Sequence, residues 1–164
     1  MYMQTLYMHT AMDKTMQARK TLRSDAIEAI EACAGWNSRL ASRRITQFLE
    51  KRMTGSGLTI AQFGLMAQIA TASDDTLGAL AERLGLDQSS LSRNLHALER
   101  ERLVEIAIVE RDLRKRAVWL TEKGARRLEG AVPVWRVAHA ALAEVLEPEL
   151  AQQLAIAAEA LTGR

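Results

Sequence analysis

Two short clusters hold the side chains best suited to chemistry in this 164-residue chain. Gln88, Ser89, Ser90, Ser92 and Arg93 place an amide, three hydroxyls and a guanidinium within six residues. Arg111-Asp112-Leu113-Arg114-Lys115-Arg116 sets four cations against one anion. Neither cluster contains a nucleophile beside a base, or donors at metal-ligand spacing. Their chemistry is hydrogen bonding and charge. Hydroxyls and amides can meet base edges in a major groove, arginine can bond guanine or phosphate, and a cationic strip can follow a phosphate backbone. A basic run is equally at home as a solvated turn, so the second cluster gains weight only from the elements that hold it.

Those elements are legible. A helix is predicted to start at Thr76, bury Leu77, Leu80, Ala81 and Leu84, and stop at Gly85, which can take the left-handed conformation of a helix end. Asp87 then caps a second helix whose Leu91, Leu95 and Leu98 keep a three-to-four spacing. That spacing turns the polar cluster away from the core. Val104, Ile106 and Ile108 alternate with Glu105 and Ala107 as a half-buried strand, and Ala117 to Leu120 can return beside it. The basic run is thereby expected as the loop at the tip of a ribbon, shaped to enter a minor groove or brace a backbone.

The flanking segments read as helices. Asp25 and Glu28 form a capping-box pattern, and Ile27, Ile30, Ala34, Ala41, Ile45 and Phe48 predict one long helix reaching about Arg52. Gly55 and Gly57 interrupt it. Thr59 and Gln62 make a second capping box, with Leu58 and Phe63 placed to staple a helix ending near Ala72. Thr121 caps a helix carrying Leu128, Val132, Trp135, Leu142 and Val145, in which Pro133 predicts a bend. Glu147-Pro148 opens a last helix ending near Gly163. The fold class expected is mainly α with a small β-hairpin, a winged helix-turn-helix at 57–120 between helical segments at 25–54 and 121–164, which together make one unit from 25 to 164. Residues 1–24 are expected to be a flexible extension.

Composition bounds the function. The net charge is only +2, and between Gly55 and Leu120 stand eight basic and nine acidic residues, so the local pattern rather than bulk charge points to nucleic acid. A single cysteine excludes an internal disulfide and agrees with a reducing cytoplasm. No apolar run approaches the roughly 20 residues that cross a bilayer, so no membrane partner is expected. His9, His96 and His139 are isolated, with no acidic cluster at ligand spacing, and neither a phosphate loop, a nucleophile elbow nor a zinc motif is present. No enzyme, cofactor or metal is expected. The last helix carries Leu150, Leu154, Ile156 and Leu161 on more than one face, which predicts a two-fold homodimer; a core of small residues within one chain is the alternative.

The run LGALAERLGLDQSSLSRNLHALERERLVE resembles the helix-turn-helix of the MarR-type winged-helix transcriptional regulators, ERDLR resembles their wing, and LTEKG the start of their next helix. The resemblance spans roughly Ala29 to Leu161. It implies a cytoplasmic homodimer on double-stranded DNA, a repressor released from a palindromic operator by a small effector. Ser89, Ser90 and Arg93 would face the major groove, Asp112 would orient a wing arginine, and Arg114 would enter the minor groove. One position departs from the family's pattern. Arg102 stands where a glycine is usual before the first wing strand, so a left-handed turn there costs about 1 kcal/mol or is built differently.

The resemblance also implies an aromatic or anionic effector between dimer helices and winged helix, where Trp36, Arg39, Arg43, Phe48, Phe63 and Trp135 are candidates. Plain core packing explains the aromatic residues as well, and a salt bridge the arginines. Cys33 lies on the helix that carries the sensor in the peroxide-sensing branch of the family, though two positions off that branch's spacing. The assisting tyrosines are absent, since Tyr2 and Tyr7 fall in the extension. A free cysteine is more often a small core residue, and Cys33 is expected to be packed. A winged helix that binds protein rather than DNA is a further alternative, with no use for the cations of the wing.

Overall fold

The computed structural model describes residues 21–72, 76–109 and 112–162, without the side chains of 109, 112–115 and 162. The chain divides into two compact units, 1–45 and 46–164. In the first, residues 21–32 are helical (α1), and α2 is Ala34–Met53, which continues into the second unit. The expected single helix from Asp25 is therefore corrected in two ways. Residues 21–24, assigned to the extension, are already helical, so Asp25 caps nothing, and the helix breaks at Cys33. Local bonding explains the break. Cys33 Sγ accepts from the Trp36 N–H at 3.4 Å, as an N-cap does, and Asn37 Nδ2 donates to Glu31 O at 2.9 Å. Gly35 follows, a residue poorly suited to holding a helix continuous.

The second unit is built around leucines. Gly57, at φ 69°, ends the one-turn helix Thr54–Ser56. The Thr59–Gln62 capping box then forms reciprocally, Gln62 N to Thr59 Oγ1 at 3.1 Å and Thr59 N to Gln62 Oε1 at 2.9 Å, and opens α3, Ile60–Ala70. Leu58 and Phe63, the stapling pair, are both buried. Thr76 caps α4, Leu77–Leu84, and Asp87 caps α5, Gln88–Arg100. From α4 and α5, Leu80, Leu91, Leu95 and Leu98 are at most 1 % exposed and join Met53, Met66 and Leu103 in the core. Each leucine so buried contributes about 1.5–3 kcal/mol. Strand β1, Val104–Val109, pairs antiparallel with β2, Asp112–Leu120. Thr121 caps α6, Glu122–Ala143, which runs through Pro133, and α7 is Pro148–Glu159.

The junction of α5, β1 and α6 is tightly interlocked. Arg102 takes φ 57°, so the position where glycine is usual does make a left-handed turn, with arginine in it. The turn is held from both sides: Arg102 N donates to Glu99 O at 2.8 Å, and Thr121 Oγ1 donates to Arg102 O at 2.7 Å. Thr121 Oγ1 also accepts from Gly124 N at 3.0 Å. A Cβ at Gly124 would lie 1.9 Å from Leu103 O, so only glycine admits this approach of α6 to the chain entering β1.

Candidate nucleic-acid interface

The turn between α4 and α5 presents the N-terminus of α5. Gly85, at φ 60°, closes α4 by donating its N–H to Glu82 O at 3.1 Å, and Leu86 N reaches Ala81 O at 3.0 Å. Asp87 then takes three donors. Its Oδ1 accepts from Ser90 N at 2.8 Å and from Ser89 Oγ at 2.6 Å, and its Oδ2 from Ser90 Oγ at 2.8 Å. These hydrogen bonds, the Ser89 hydroxyl first, hold the Asp87 carboxyl well below the usual carboxylate range although it is fully exposed. Arg93 Nη2 donates to Ser90 Oγ at 3.2 Å. Three predicted recognition residues thus form one network with the helix cap.

Beside this network lies a groove of about 650 Å³ lined by Thr76, Leu77 and Gly78 of α4, Gln88, Ser89, Leu91 and Ser92 of α5, and Arg116 of β2. The structure therefore brings Gln88, Ser89, Ser92 and one wing arginine to a single concave surface. A Thr76–Ala117 bridge ties the start of α4 to β2 and fixes the ribbon beside the helices. Thr76 and Gly78 were missed as site residues. In sequence they read as the start and an interior position of a helix, and only the bridge to β2 sets them beside the groove.

The basic run is corrected from a connecting loop to the start of β2. The strands end at Val109 and resume at Asp112, so only residues 110 and 111 join them. Pairing runs in step through Ile106↔Val118 and Ile108↔Arg116, then jumps to Val109↔Asp112. Residues 113–115 are the surplus of that shift, an irregularity that bends a ribbon near its tip. Arg111 lies outside the described residues, as do the side chains of Asp112, Arg114 and Lys115; Arg116 is exposed.

The effector candidates divide. Phe63, buried in the core, stacks on Trp135 with centroids 5.6 Å apart and planes at 17°, and Trp135 in turn tilts over His139 at 4.4 Å. Phe48 carries the Arg52 guanidinium 3.5 Å above its ring, a cation that the sequence reading did not single out. Trp36, Arg39 and Arg43 belong to the first unit and are exposed, Arg39 Nε donating to Gly35 O at 3.2 Å. Cys33 is also exposed, not packed as expected, like every other residue from 21 to 39. His96 pairs with Glu99 at 3.1 Å on the exposed side of α5. Among the described residues no group of His, Cys, Asp or Glu could hold a metal ion, and no helix is long and apolar enough to cross a membrane.

Two helices at a tight turn, a two-stranded ribbon behind them and a groove between define a winged helix-turn-helix. A family model described as MarR family matches residues 56–115. Over 79 % of this chain and 96 % of that one, the structure is similar to the Mycobacterium tuberculosis transcriptional regulator MosR in complex with DNA, at 32 % identity and TM-score 0.72. An E. coli MarR variant with operator DNA shares the fold at 22 % identity and TM-score 0.68, covering 81 % of this chain and 96 % of its own. An HTH-type transcriptional regulator of Bacillus cereus is 37 % identical over 76 residues, 46 % of this chain. The chain spans about half the length of the curated relatives it matches. The chain belongs to the MarR family, a family of transcriptional regulators and not of enzymes.

Proposed function

We propose that the protein regulates transcription as a homodimer on double-stranded DNA, a repressor that leaves a palindromic operator when a small aromatic or anionic effector binds. The observation that carries the DNA-reading role is the groove in which Gln88, Ser89 and Ser92 of a capped helix face Arg116 of the ribbon. A helix N-terminus rich in hydroxyls enters a major groove and reads base edges, while the ribbon's Arg111, Arg114, Lys115 and Arg116 engage backbone or minor groove. The MosR and MarR structures solved with DNA support the same use of this fold.

Dimerisation is supported by α7, none of whose residues is buried, and on which Leu150, Leu154 and Ile156 are more than half exposed. Two recognition helices about 34 Å apart would then read half-sites one helical turn apart. An effector acts by favouring a form with another spacing. The test is the salt dependence of binding to duplex DNA. Arg116→Ala and Arg114→Ala are each expected to lower the slope of log K against log salt by about 1. An unchanged slope in both rejects the wing contacts, and binding to no duplex rejects the DNA-reading role.

The exposure of Cys33 favours a second reading, release by oxidation. Sulfenic acid formation needs the sulfur, and with one cysteine per chain any disulfide joins two subunits or a small thiol. Peroxide release of wild type but not of Cys33→Ser supports it; equal responses reject it.

A further inference from the structure

We propose that Asp87 fixes the hydrogen-bond polarity of the recognition face, so that Ser89 meets DNA only as an acceptor and selects adenine or cytosine on the strand it faces. The inference rests on the DNA-reading role proposed above. A serine hydroxyl has one proton and two acceptor lone pairs, and an ionised carboxylate only accepts. In both contacts with Asp87 the serine must therefore be the donor, Ser89 Oγ at 2.6 Å and Ser90 Oγ at 2.8 Å. The remaining capacity differs between the two. Ser90 Oγ receives Arg93 Nη2 at 3.2 Å and does not line the groove. Ser89 lines it, with its proton committed and its lone pairs left for a partner.

In the major groove adenine N6 and cytosine N4 donate, while guanine presents N7 and O6 and thymine O4, all acceptors. A free serine hydroxyl rotates to suit either kind and discriminates poorly. One pinned by Asp87 meets guanine or thymine lone pair to lone pair. Asp87 is on this account a positioning residue, and the base preference is carried by a residue it holds.

The experiment starts from a duplex that the wild type binds tightly. Each base of the half-site is replaced in turn by the other three, symmetrically in both halves, and Kd is measured for wild type, Ser89→Ala, Ser89→Thr and Asp87→Gly. One position should prefer adenine or cytosine by roughly 3- to 10-fold, the range of one neutral hydrogen bond. The preference should vanish in Ser89→Ala and persist in Ser89→Thr. It should flatten in Asp87→Gly, which removes the Oδ1 that holds the Ser89 hydroxyl and so frees the serine proton, while glycine remains a tolerated N-cap. The inference falls if the Ser89-dependent position prefers guanine or thymine, if no position depends on Ser89, or if Asp87→Gly keeps the preference. Selective binding without such a position overturns this inference alone; a wild type that binds no duplex overturns the DNA-reading role as well.

Discussion

Replacing Gly124 by alanine would test the interlock that sets recognition helix, ribbon and α6 in register. The new Cβ would stand 1.9 Å from Leu103 O, 2.8 Å from its carbonyl carbon and 3.2 Å from its Cα. All three are backbone atoms, and Leu103 is itself fully buried, so no side chain can rotate away. Separation to ordinary contact moves the start of α6 by more than 1 Å from β1. That strains the Thr121 N to Leu103 O bond, 3.1 Å, and the Thr121 Oγ1 to Arg102 O bond, 2.7 Å. Overpacking of this kind costs about 1–3 kcal/mol, and each weakened hydrogen bond about 1 kcal/mol more. Alanine returns up to about 1 kcal/mol of helix propensity. The net loss is about 2–4 kcal/mol, a large share of a stability of about 5–15 kcal/mol. Urea unfolding followed by circular dichroism reads it directly, as a lower midpoint with unchanged slope. A variant within 0.5 kcal/mol of wild type refutes the reasoning, because the close approach would then not be needed.

Three further outcomes are expected. Arg102→Gly should raise stability by about 0.5–1 kcal/mol, since relief of a left-handed residue, about 1–2 kcal/mol, exceeds the entropy glycine adds to the unfolded chain; a loss of stability in urea unfolding would contradict it. Burial against Trp135 lowers the His139 pKa from its ordinary 6.5, so protonation favours the unfolded chain: its contribution is present above pH 6.5 and lost as pH falls through the lower folded value. His139→Gln should therefore flatten stability below pH 6.5, and an unchanged pH profile would contradict this. A chain ending before Pro148 should sediment as a monomer or aggregate and bind DNA weakly, for want of linked half-sites; a normal dimer would exclude α7 from the interface.

Legibility followed local chemistry. Thr59, Asp87 and Thr121 were each readable as caps, because a cap needs only a short polar side chain and a donor three residues on, and all three form in the structure; Thr76, read as the start of its helix, is also a cap. The buried Leu80, Leu91, Leu95 and Leu98 followed from helical period in the same way. The break at Cys33 was hidden, since the apolar stripe runs through it and a thiol is a weak cap that no pattern announces. Long-range geometry was hidden too. Arg116 was found as one charge in a run, but the groove it shares with Thr76 depends on the bridge from Thr76 to Ala117, which alternation alone does not encode. The role of Gly124 became visible only with Leu103 O beside it.

In the proposed function α5 and the ribbon read duplex DNA in two symmetric copies. Sequencing of duplexes enriched by the purified protein from a random pool tests it most directly. The account predicts a palindrome whose half-site centres lie about 10 base pairs apart, one helical turn, with positions that change in Arg93→Ala and Ser89→Ala. Enrichment of no sequence over the starting pool, or of a single unrepeated site unaffected by either substitution, would contradict it.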